Sequence, residues 1–143
     1  MILRAEIEPR GWSRPRAHAR GGRASIYEHA PDSQWKHDFL VLLRLAHGAA
    51  THPRAGVPLS VRVDALFSRP KRLLRAKDPD HAIPMVGPPD ADNVGKLVLD
   101  ALVLGGWLAD DRTIWCLQIV KRYVPRGQAA SVTVRITESV EEL

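Results

Sequence analysis

A chain of 143 residues, 45% hydrophobic and 26% charged, has the size and composition of one folded domain, which excludes a disordered chain and leaves no room for two good cores. No run approaches the roughly 20 uncharged apolar residues of a membrane helix, because the longest candidates, Phe39–Ala46 and Leu97–Trp107, carry Arg44 and Asp100. A net charge of +5 invites a polyanionic partner.

The first residues, Met1 to Glu8, alternate apolar and polar from Ile2 to Ile7 and predict a short strand; their charges stand where a signal peptide needs its apolar centre. The Gly-, Pro- and Arg-rich segment from Pro9 to Gly22 predicts an irregular arm leading toward a second strand at Ala24–Tyr27. Pro31, Asp32 and Ser33 mark a helix start, with Trp35, Phe39, Leu42, Leu43 and Ala46 on one buried face and an end near Ala50, before Pro53. Val57–Phe67 alternates cleanly as a strand. Arg69–Pro89 has prolines, cations and little periodicity, and predicts an exposed, mobile basic loop.

Asp92 to about Leu104 predicts a helix whose core stripe is Val94, Leu97, Val98, Ala101 and Leu102. Leu99 and Val103 fall on its other side, so a deeply buried helix or one covered by a partner subunit is expected. Thr113–Tyr123 and Ser131–Thr137 alternate as strands around a Pro125–Gly127 turn, and an acidic tail closes the chain at 138–143. The fold class is mixed α/β: one domain over residues 1–143, a small sheet and two main helices. A lone cysteine, Cys116, forms no intrachain disulfide, and a cytoplasmic location is expected.

Charge is unevenly spread. Arg10, Arg14, Arg16, Arg20 and Arg23 share an arm of about residues 9–23 with no acid from Arg10 to Arg23; Arg69, Lys71, Arg72, Arg75 and Lys77 form a second acid-free run. Acids collect from Asp78 to Asp111 and in the tail from Glu138. Two basic runs around an acidic centre suit a phosphate backbone held on either side of a metal site.

The segment Gly87-Pro88-Pro89-Asp90-Ala91-Asp92-Asn93-Val94-Gly95-Lys96 carries the chemistry. Asp90 and Asp92, two apart in extended chain, point the same way. Lys96 and Asp100 follow at successive spacings of four on one helix stripe. Asp110 and Asp111 arrive before the strand at Thr113, and pairing of that strand beside the Asp90 segment would bring both acidic groups to one sheet edge. Clustered carboxylates repel unless a cation shares the site, and oxygen donors without His or Cys suit Mg2+, with Mn2+ as a substitute, over zinc. Such an ion activates water and polarises a phosphate.

Each acid taken singly also has a plain structural account, as an N-cap, an ion pair or a turn. An EF-hand is excluded because Val94 and Ala101 stand where its loop needs an oxygen donor and a glutamate. The histidines, His18, His29, His37, His47, His52 and His81, show no metal-protease spacing, and of the tryptophans Trp12, inside the basic arm, remains a candidate for stacking on bases. Two other functions compete: a DNA-binding module that does not cleave, and a hydrolase of small phosphoesters. Separated basic runs argue against the second, and the set Asp90, Asp92, Lys96 and Asp111 against the first.

The arrangement resembles the RusA family of Holliday junction resolvases, the crossover junction endodeoxyribonucleases of phages and prophages. The residues carrying the likeness are Pro89-Asp90-Ala91-Asp92-Asn93-Val94-Gly95-Lys96, then Asp100-Ala101-Leu102, then Asp110-Asp111, then Lys121, with Pro15-Arg16 and Tyr27 as weaker support at the front. The resemblance implies metal-linked carboxylates at Asp90, Asp92 and Asp111 with Asp110 beside them, and a functional lysine at Lys96. It also implies an intertwined homodimer that cuts opposite strands of a four-way DNA junction in recombination and repair. Arg14, Arg16, Arg20, Arg23, Arg69, Lys71, Arg72 and Lys121 are the candidate DNA contacts. Gly95 departs from good helix chemistry, at about 1 kcal/mol against alanine.

Overall fold

Alternating side chains build the centre of the sheet, and prolines and glycines set its limits. The computed structural model describes residues 1–14, 16–27 and 29–138, and among these the chain forms, in order, β1 (Ile2–Ala5), β2 (Arg16–Arg20), β3 (Arg23–Tyr27), α1 (Ala30–His47), β4 (Leu59–Phe67), β5 (Ile83–Pro84), α2 (Ala91–Leu104), β6 (Ile114–Tyr123) and β7 (Ser131–Glu138). Single turns of 3-10 helix occur at Lys71–Leu73 and Asp111–Thr113. The acidic tail beyond Glu138 lies outside the described residues. Among them no helix is long and apolar enough to cross a membrane.

The main sheet has the order β1-β7-β4-β6-β5 and is mixed, with β4 and β6 parallel and the other pairs antiparallel. Val61, Val63, Ala65 and Phe67 of β4, and Val132, Val134 and Ile136 of β7, point to one face and are buried there. Both helices lie on that face: Trp35, Phe39 and Leu43 of α1 and Leu97, Val98, Ala101 and Leu102 of α2 join the β1, β4 and β7 side chains in one core. The opposite face carries Arg62, Asp64, Leu66, Val120, Thr133 and Arg135, and among the described residues no helix covers it. The mixed α/β single domain expected from the sequence is what the chain adopts.

Several boundaries and one whole element differ from the sequence expectation. β4 begins at Leu59, not Val57, because Pro58 has no N–H for a ladder. α1 ends at His47, short of Ala50: Gly48 takes φ +82° and donates its N–H to the Arg44 carbonyl. β1 stops at Ala5, and Ile7 instead packs against the rim of the core. The arm is not irregular from end to end, because β2 and β3 form a hairpin apart from the main sheet, with Gly21 and Gly22 between them at φ +59° and +76°. Two left-handed residues in a two-residue loop make the turn whose twist suits a hairpin.

The segment 69–89 is mostly exposed, as expected, and its backbone is wrapped around two arginines. Arg69 donates to the carbonyls of Val124, Leu73, Pro79 and His81 at 2.9, 3.1, 2.7 and 2.9 Å and is 9% exposed. Arg126 donates to the carbonyls of Leu74, Arg75 and Asp78 and pairs with Asp80 at 2.9 Å. Backbone oxygens that no strand uses are thereby satisfied, which is the ordinary requirement on a folded loop.

Candidate active site

α2 is the return stroke between two parallel strands, and this decides where the acids fall. β4 finishes at Phe67 and the loop delivers Asp90 to the start of α2; α2 then runs back along the sheet, so that Asp110 and Asp111 lead into β6 at its beginning. Asp90 and Asp111 therefore mark opposite ends of β6, the strand beside which the segment leading to Asp90 pairs through β5. Gly95 against Ile119 fixes how closely the helix lies: a β-carbon on Gly95 would come 2.2 Å from Ile119 Cδ1. The helix-weakening glycine is thus a site of close helix–sheet approach.

What the acids share is a groove. Asp92, Lys96, Leu99, Asp100, Asp111, Leu117 and Ile119 line an open pocket of about 300 Å3 between α2 and β6. Asp90, at the N-cap position of α2 with φ −66° and ψ 149°, makes no side-chain cap bond, so its exposed carboxylate is not used to terminate the helix. Lys96 Nζ lies 3.2 Å from Asp100 Oδ2 and 5.1 Å from the centre of the Trp12 ring. Asp110 is engaged otherwise: it accepts from the Arg112 N–H and Nε at 2.9 Å each, and hydrogen bonding to Arg112 holds its carboxyl below the usual carboxylate range. Asp111, the second acid of the pair, is the one facing the groove.

Among the described residues no group of three His, Cys, Asp or Glu side chains is gathered closely enough to hold a metal ion. The donors present are carboxylates alone, which is the chemistry of a hard divalent cation, and Mg2+ commonly takes one or two carboxylates, several waters and its substrate's phosphate. Asp92 and Asp111, which line the same groove, fit that description. A third protein ligand, where one is needed, has to reach the groove from elsewhere.

The predicted cations divide into three kinds. Lys71, Arg72 and Arg14 are exposed and free to meet a polyanion. The side chains of Arg16, Arg20 and Arg23 fall outside the described parts of the hairpin. Arg69 and Lys121 point inward. Lys121 Nζ donates to the carbonyls of Gly87 and Pro89 at 2.8 and 2.7 Å, pinning the backbone immediately before Asp90. Sequence reasoning had no way to see either lysine or arginine as a loop fastener, because their partners are carbonyls remote in the chain. Lys121→Met is expected to lower cleavage about tenfold or more through misplacement of Asp90, with DNA affinity and its salt dependence unchanged. Single-turnover rates beside a salt titration of binding check this; a lost phosphate contact would instead reduce the salt slope by about one.

An open groove of carboxylates that also holds Lys96 equips an enzyme to hold and hydrolyse a phosphodiester backbone, and the class so defined is that of the nucleases. The family model described as Endodeoxyribonuclease RusA matches residues 6–137, nearly the whole chain, and the chain belongs to that family. A search of the curated proteins finds no match.

Proposed function

We propose that this endodeoxyribonuclease is magnesium-dependent and resolves four-way DNA junctions by paired nicks, working as a homodimer. The observation that carries the proposal is the placement of Asp92, Lys96 and Asp111 in one groove of a chain matched to this family along nearly its full length. Asp90, Asp92 and Asp111 would hold the ion, which supplies an activated water and offsets charge on the phosphate. Lys96, with one donor turned to Asp100, has others to offer a phosphate oxygen. Lys71, Arg72 and the arginine-rich hairpin would supply contacts to the DNA backbone, while Arg69 serves its loop.

Support for the dimer comes from β6. β5 pairs only with Tyr123 and Arg122, at the far end of this edge strand. Trp115 and Leu117 on this stretch are 46% and 43% exposed, and Val103 and Leu104 at the end of α2 are exposed as well. A long apolar edge is a template for another strand. Leu99, expected to face outward, is already covered within the chain, so the outward apolar face of α2 narrows to its last residues. Two-fold antiparallel pairing along the edge sets the start of one β6 against the end of the other, and so carries the partner's Asp111 toward Asp90 and Asp92.

The test is a synthetic mobile four-way junction beside a linear duplex of the same sequence, with magnesium, with manganese and without either. Symmetric nicking of the junction alone, in either metal, is expected. Equal cutting of the duplex would remove junction selectivity, and binding without nicking would reduce the protein to a DNA-binding module. On the same junction, Lys71→Ala with Arg72→Ala is expected to weaken binding and flatten its salt dependence by about two phosphate contacts; an unchanged slope would take that run off the contact surface.

A further inference from the structure

The root of the arginine-rich hairpin is gripped from both helices. Asp32, fully buried at the start of α1, accepts from Arg10 Nε at 2.8 Å and from the Ser13 N–H at 2.7 Å. On the other side the Trp12 N–H donates to the Asn93 carbonyl at 2.9 Å, in the first turn of α2. Between them Gly11 passes so close to Pro89 that a β-carbon would meet Pro89 Cβ at 2.4 Å. Residues 10–13 are therefore fixed against the segment that carries Asp90 and Asp92, and β2 begins only at Arg16.

Trp12 spends its position in this clamp on Lys96. The ammonium lies 5.1 Å from the ring centre, with Asp100 at 3.2 Å. A lysine has four rotors to fix, and an exposed ion pair four residues along a helix contributes little toward fixing them. A cation over an indole face contributes about as much again when exposed and several times more when water is removed. The ring also consumes no particular N–H, whereas a second carboxylate would.

We propose that Trp12 is a positioning residue: its indole face holds the Lys96 ammonium at the groove and couples the hairpin root to the reacting end of α2. The proposal rests on the assignment of Lys96 to the cleavage reaction made above. DNA lying in the groove strips water from the contact, so the ring's hold tightens as substrate arrives. The plain alternative is that Trp12 only fills space at the edge of the core, which it also touches.

A double-mutant cycle separates the two. Single-turnover cleavage of a four-way junction is measured with magnesium, and junction affinity without it, for Trp12→Leu, Trp12→Phe, Lys96→Ala and the Trp12→Leu/Lys96→Ala pair, all below their melting midpoints. Trp12→Leu is expected to cleave about tenfold more slowly with affinity preserved, and Trp12→Phe, which keeps a ring face, to retain most of the rate. In the Lys96→Ala background Trp12→Leu is expected to have no further effect. An equal loss in both backgrounds, or a Trp12→Phe as slow as Trp12→Leu, overturns the proposal and leaves Trp12 a packing residue. Cleavage by Lys96→Ala at the normal rate is a different failure, since it removes Lys96 from the reaction altogether.

Discussion

Asp92→Asn and Asp111→Asn are each expected to lose magnesium-dependent cleavage by more than about a hundredfold, the scale on which even the residues behind metal ligands act, while junction binding persists. Each substitution keeps the size of the side chain and removes the charge that holds a cation. Both positions are exposed, so neither change disturbs the core. The single chain places the two carboxylates in one groove but, among the described residues, gathers no three donors, and this makes the two variants informative together. Copies carrying Asp92→Asn mixed with copies carrying Asp111→Asn form dimers in which one composite site is intact if the partner completes it. Recovery of one nick per junction is then expected from the mixture of two inactive proteins. If each chain holds its own complete site, the mixture stays as inactive as its components. Wild-type rates for either single variant would sink the metal-site reading itself.

The helices and the central strand were legible because burial on one face leaves a period in the residues. Trp35, Phe39 and Leu43 recur at helical spacing and Val61, Val63, Ala65 and Phe67 at strand spacing, and all are buried. β2 was missed because Arg-Ala-His-Ala-Arg carries no apolar period in its residues. Its one usable signal was Gly21-Gly22, a two-residue loop of the kind that joins hairpin strands. The acidic residues themselves were legible as types and spacings. Their separation along β6 was not, because it follows from the parallel pairing of β4 with β6, and pairing direction leaves no trace in either strand's own residues.

Basic residues were the least legible part of the site, since a cation facing DNA and a cation facing carbonyls look alike in a sequence. Arg69 is the sharpest case. Read as a DNA contact, it is expected to behave like Lys71 and Arg72; read from its geometry, it is expected to behave like a core residue. Its guanidinium satisfies four carbonyls spread from Leu73 to Val124, and the side chain that replaces it in Arg69→Ala leaves those oxygens to water or to nothing. Breaking a buried charged hydrogen-bond set costs about 3–5 kcal/mol, and for a chain of this size each kcal/mol lowers the melting midpoint by roughly 2–4 °C. A fall of about 10 °C is therefore expected on thermal unfolding. Lys71→Ala with Arg72→Ala, both exposed, is expected to leave the midpoint in place while weakening DNA binding. Below its own midpoint, the Arg69→Ala protein is expected to keep the wild-type salt slope of binding. A normal midpoint with a reduced slope would put Arg69 back on the DNA and would mean that the 69–89 loop opens when the junction binds.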